Sequence, residues 1–160
     1  MTGPFMLQAW ASKNTELAIG FLIPEESDGT RIAILNSLQE GCENGEEFRR
    51  LAGRVQEITP TDRKQAIEVA RNVVGAVMSE SHFLSVLSAG LTHKKWVCPA
   101  RPARELGGHR QAEQRYSRHP CRIEASFVIN GVSLRFPRDY TSGHPEECIR
   151  CQCLAIASYL

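Results

Sequence analysis

Phe127-Val-Ile-Asn-Gly-Val-Ser-Leu-Arg-Phe-Pro-Arg-Asp139 decides how the second half of this chain folds. Ser126–Ile129 and Val132–Phe136 alternate apolar and polar residues on either side of Asn130-Gly131. A type I′ turn needs positive φ at both central positions, which Asn and Gly tolerate, so the stretch predicts a β-hairpin. Pro137 and Asp139 mark its exit. Cys148-Ile-Arg-Cys-Gln-Cys153 follows, and the apolar run after it predicts a strand over 153–160 that clamps the hairpin.

Upstream of the hairpin the period changes. Leu7, Trp10, Ala11, Leu17, Ala18, Phe21 and Leu22 recur at steps of three and four, one helical stripe that ends near Pro24. A second helix is predicted from Thr30 through Gln39, with Ile32, Leu35 and Leu38 on one face and Gly41 closing it. Asn44 with Glu47 reads as a capping box for a third, carrying Phe48, Leu51, Ala52 and Val55. Thr59-Pro60-Thr61-Asp62 starts a fourth and longest, with Ile67, Ala70, Val74, Val77 and Met78 on its apolar side; Gly75 and Ser79-Glu-Ser81 weaken its middle, and Ala89-Gly90 stops it. His93–Val97 predicts a strand. Residues 99–120 read as a long loop, or a loop holding a short helix near 108–115. The fold class is α+β: an N-terminal helical region of about four helices, then a small antiparallel sheet with the Asn-Gly hairpin. One domain spans 1–160, divided into a helical part over 1–92 and a part over 93–160 with the basic loop, hairpin and cysteines.

Composition sets the limits. No segment approaches the roughly 20 apolar residues of a membrane helix, so no membrane role is expected. The start carries Lys13 and Glu16 where an export signal would be apolar, and six cysteines are too few for a secreted disulfide scaffold of this length. The expected place of synthesis is a cytoplasm. Charge is uneven: residues 1–60 hold five Lys/Arg against nine Asp/Glu. Residues 93–122 hold Lys94, Lys95, Arg101, Arg104, Arg110, Arg115, Arg118 and Arg122 against only Glu105 and Glu113. These eight cations are the candidate contacts for DNA or another polyanion; pairing with the acidic first half is the other reading.

Cys148, Cys151 and Cys153 with His109 form the candidate metal set, since a Cys-x-x-Cys pair can place two thiolates on one zinc ion. Cys98, Cys121, His119 and His144 are further candidate ligands. The same cysteines serve equally as small buried packing residues, so no cofactor beyond a structural zinc is expected. A zinc deaminase needs His-x-Glu well upstream of Pro-Cys-x-x-Cys. Here His144-Pro-Glu146 sits beside Cys148 with no proline before it. No Gly-x-Ser-x-Gly motif or phosphate-cradling loop is present, and the expectation is a protein that is not an enzyme. Trp96 reads as a core anchor, or as a base-stacking ring beside Lys94 and Lys95.

Taken in order, these parts resemble the phage Mu F-like minor head proteins, the head-morphogenesis family of tailed phages. The resemblance runs through Ala66-Ile-Glu-Val-Ala70-Arg71, Gly90-Leu-Thr-His-Lys-Lys-Trp96, His109, Phe127 to Asp139 with Gly131, Leu134 and Pro137 in step, and Ile149-Arg-Cys151-Gln-Cys153. Arg150 and Gln152 stand where the family commonly has Asn and Arg. The resemblance implies a minor capsid protein of the virion, assembled in the host cytoplasm in many copies. Its implied partners are the portal protein, other head proteins and the packaged DNA. Two alternatives stay open: a portal-bound neck or adaptor protein, and a small phage effector or nuclease working through the basic, histidine-bearing loop.

Overall fold

The structure, a computed structural model, describes residues 3–99 and 107–159. Six helices and five strands run in the order α1 (Pro4–Trp10), α2 (Lys13–Leu22), α3 (Asp28–Glu43), α4 (Phe48–Ile58), α5 (Arg63–Ser88), β1 (His93–Val97), α6 (His109–Arg118), β2 (Cys121–Arg122), β3 (Phe127–Ile129), β4 (Val132–Leu134) and β5 (Leu154–Ser158). Short 3-10 turns fall at Tyr140–Ser142 and Pro145–Glu147. The class is α+β, helices first. Among the described residues no helix is long and apolar enough to cross a membrane.

Five helices, not four, precede β1, because the first apolar stripe is broken. Ser12 turns extended and its Oγ accepts the Thr15 N–H at 3.2 Å, so a cap separates α1 from α2 although the apolar spacing carries on across it. Ser27 caps α3 in the same way, which moves its start ahead of Thr30. Asn44 closes α3 and does not open α4, which begins after Glu47 with no side-chain cap. Gly41 lies within α3, where a Cβ would meet Leu51 at 2.5 Å; the residue serves a close helix crossing, not a stop. Asp62 accepts the Gln65 N–H at 2.8 Å, and α5 then runs unbroken through Gly75 and Ser79 to Ser88.

That unbroken helix organises the molecule. Ala66, Val69, Ala70, Val73, Val74 and Val77 of α5 pack with Ile34, Leu38, Leu51 and Val55 into one apolar cluster. From Ala76 onward, with Phe83 and Val86 one to three turns beyond it, the helix also enters a second cluster with Trp96, Phe127, Leu134 and Phe136. The second cluster is aromatic at its centre. Phe127 meets Trp96 edge-on at 5.2 Å and Tyr116 at 4.9 Å, pairs worth about 0.5–1.5 kcal/mol each beyond burial. Across the junction, Asn14 accepts the Tyr140 N–H at 2.6 Å and Asn72 accepts the Arg150 N–H at 2.7 Å.

The strands form two sheets where one was expected. β3 and β4 pair antiparallel with Ile129 opposite Val132, and Asn130 and Gly131 between them have φ of 52° and 80°. The three-stranded sheet has the order β2-β1-β5, with β5 antiparallel to β1 from His93↔Ser158 to Val97↔Leu154. The strand after the cysteines therefore pairs with β1 and not with the hairpin. Residues 109–118 are fully helical, a longer element than the short helix allowed for in the loop reading.

Candidate metal centre

Four segments converge beside Trp96. Cys98 leaves β1, His109 opens α6, Glu147 ends the second 3-10 turn, and Cys151 and Cys153 lead into β5. In extended chain, residues i and i+2 share a face, and Cys151 and Cys153 are buried while Gln152 between them is exposed. Gly108, with φ of 87°, swings the chain into α6; a Cβ there would collide with Asn130. The imidazole that results is 2 % exposed and sits edge-on to Trp96 at 5.4 Å.

His109 Nδ1 lies 3.7 Å from Cys151 Sγ and 3.5 Å from Cys153 Sγ, and one ligand atom from each residue falls within 4.8 Å of the others. On a tetrahedral zinc with bonds of about 2.3 Å to sulfur and 2.0–2.1 Å to nitrogen, the S···N separation is about 3.5 Å. The group can hold a metal ion. His109 Nε2 faces Glu147 Oε2 at 3.0 Å, and Asn130 Nδ2 donates to Glu147 Oε1 at 3.0 Å and to the Gly107 carbonyl at 2.5 Å. A carboxylate on the outer nitrogen selects the tautomer that leaves Nδ1 free to ligate.

The electrostatics favour a thiolate here. A hydrogen bond from Cys153 and the neighbouring His109 imidazole together outweigh burial and hold the Cys151 thiol well below its ordinary range. Cys153 is pushed far up by its bond to Cys151, by burial and by Cys98, so the proton of the pair stays on Cys153. Burial pulls His109 down, but Cys151 and Glu147 more than compensate and the net shift is upward.

Of the predicted metal set, His109, Cys151 and Cys153 come together and Cys148 does not. Cys148 is fully buried, yet the chain turns between it and Cys151: the Cys151 N–H bonds to the Cys148 carbonyl and Arg150 has φ of 62°. That turn sends Cys148 towards Ser142 and Tyr140. Cys98, separated by 55 positions from Cys153, stands 3.2 Å from it in its place.

The predicted cationic contacts divide. Lys94 is 1 % exposed, with Nζ donating to the Arg135 carbonyl at 2.6 Å between the rings of Phe83 and Phe127, so it is not a surface contact. Trp96 is fully buried, which removes the base-stacking reading. Arg110 is half-buried and bound to Glu113 and the Pro99 carbonyl. Arg115, Arg118 and Arg122 are exposed and Lys95 is half-buried. Arg115 and Arg118 also occupy the last turn of α6, where cations complement the helix dipole. Arg101 and Arg104 lie outside the described residues.

In comparison with known proteins, no family model, no curated protein and no solved structure matches this chain.

Proposed function

We propose that this chain is a structural component of a tailed-phage head, of the minor capsid type, whose C-terminal half is held together by a zinc ion on His109, Cys151 and Cys153. The observation that carries the metal half of this reading is the buried His109–Cys151–Cys153 group, with ligand atoms at zinc spacing and a carboxylate on the outer imidazole nitrogen. The assembly half is supported by the order of motifs that resembles the head-morphogenesis family, several of which serve the framework of this fold. Phe127, Leu134 and Trp96 are in the aromatic core, and Asp139 is buried in a bidentate pair with Arg135 at 2.9 and 3.0 Å.

In this reading the exposed Arg115, Arg118 and Arg122, with the half-buried Lys95, face packaged DNA or an acidic partner, and the helical half docks on the portal or other head proteins. Elemental analysis of the purified chain is expected to give one zinc per molecule, and a chain without metal overturns the metal half. Co-expression with the portal protein of the same phage is expected to yield a co-purifying complex. A chain that stays apart from portals and heads overturns the assembly half. If DNA is the partner, affinity falls steeply between about 50 and 200 mM salt; a flat response assigns the cations to protein.

A further inference from the structure

We propose that Cys98 is the fourth ligand of this centre, so that Cys98, His109, Cys151 and Cys153 form a closed Cys3His site; the inference rests on the metal reading above. Its first support is distance. Cys98 and Cys153 have their sulfurs 3.2 Å apart, beyond a disulfide bond of about 2.05 Å and short of the roughly 3.8 Å between two thiolates on tetrahedral zinc. An ion entering between them needs to part these two sulfurs by about 0.6 Å and to draw Cys98 Sγ closer to the other ligand atoms, since it stands outside the 4.8 Å group that His109, Cys151 and Cys153 make.

Placement is the second support. Glu113 Oε1 accepts the Cys98 N–H at 2.9 Å, which ties the residue after β1 to α6, the helix that delivers His109. The Cys98 thiol rests on the His109 carbonyl at 3.3 Å, a weak bond that it gives up on ligating metal. The remaining cysteines are engaged elsewhere. Cys121 points at the Ala125 and Ser126 carbonyls, Cys148 faces Ser142, and Cys42 belongs to the helical cluster.

The third support is an orphan. Trp96 Nε1 is buried and has no hydrogen-bond partner among the described residues. Buried N–H groups are rarely left so. The indole is a neighbour of the Cys98 thiol but does not reach bonding distance to it. A metal-bound thiolate is the acceptor this N–H lacks, and such outer contacts accompany ligated sulfur and imidazole alike.

Four protein ligands leave no position for water or substrate, which makes the centre structural and not catalytic. Cys98 and His109 also stand on either side of residues 99–108, so the ion fixes both ends of that basic stretch.

The test uses the full chain loaded with zinc or cobalt. X-ray absorption on the zinc-loaded wild type is expected to count three sulfurs and one nitrogen; two sulfurs overturns the proposal. Cys98→Ser is expected to lose about a third of the thiolate-to-cobalt charge-transfer absorbance and to bind more than about 100-fold less tightly, beyond the range of outer-contact losses. Cys121→Ser should leave both unchanged. A Cys98→Ser spectrum identical to wild type removes Cys98 and leaves the three-ligand reading standing. A wild type that takes up neither metal overturns both. Should Cys98→Ser fail to fold, the wild-type sulfur count still decides.

Discussion

Lys94 holds an ammonium group between two aromatic rings with a single carbonyl for company. Burial, with Arg135 adding to the effect and Cys121, Asp139 and Glu124 opposing it, draws its pKa from an ordinary 10.5 to about 8. Between those values the unfolded chain holds the proton and the folded chain has released it, so stability rises with pH through that window. The cost of burying the charge is present in full below about pH 8, and its relief is worth about 3 kcal/mol by pH 10.5. Urea unfolding of wild type and Lys94→Met across this range checks it: the wild type should gain on the variant as pH rises, and two parallel curves refute the account. Outer contacts of the metal centre make a second residue-scale prediction. Glu147→Ala is expected to weaken zinc binding by about 10–100-fold while circular dichroism of the loaded protein stays the same, measured by chelator competition. Lys94 also shows what a sequence reading by charge overlooks. His93-Lys-Lys-Trp-Val97 alternates, and Lys94 shares its face with Trp96, so parity along the strand assigns it to the interior while charge density groups it with the surface cations.

Helix boundaries in this chain are set by particular side chains, and they can be weighed one by one. Asp62 caps α5 and Glu47 makes no cap bond at α4, so Asp62→Ala should cost about 1 kcal/mol and Glu47→Ala close to nothing, read as a difference in thermal midpoint. Gly41→Ala drives a methyl into buried Leu51 and the Arg54 side chain where α3 crosses α4. The expected loss is about 1–3 kcal/mol, since a packed core gives way poorly to added volume. At this scale much was legible. The Asp62 start, the Asn130-Gly131 turn and the alternation around Trp96 follow from local chemistry that the residues state outright, whereas Gly75 and Ser79-Glu-Ser81 left the continuity of α5 open and packing on both clusters decides it. Three things were not. The break at Ser12 is silent in a pattern whose apolar steps continue across it, and Gly41 resembles a helix stop when its reason is a neighbouring helix. Cys98 was harder still: Cys148-x-x-Cys151 has the familiar spacing, and no local pattern announces a partner 55 positions away.

The whole molecule is two apolar clusters on one helix, and its parts should fail in order. Val69, Val73 and Val77 of α5 serve the helical cluster and Phe83 and Val86 the aromatic one, so α5 retains half its packing when the C-terminal part opens. Chelating the proposed zinc is expected to release amide protection in β1, β5 and α6 first, while α3, α4 and the first half of α5 stay protected, as hydrogen exchange would report. A single simultaneous loss of protection throughout would mean that the junction at Asn14–Tyr140 and Asn72–Arg150 couples the clusters completely.

The 3.2 Å approach of Cys98 to Cys153 has one more consequence, for the chain before it has folded. Between them lie α6, the hairpin and both 3-10 turns. A direct bond between the two sulfurs would enclose that whole stretch in a ring and deny the denatured chain most of its freedom there; for a covalent tie over 55 residues the effect is about 4 kcal/mol. Stabilisation of this kind adds no contact to the native protein. It comes from making the alternatives scarcer, and it would appear as a more compact denatured state with a shallower dependence on urea.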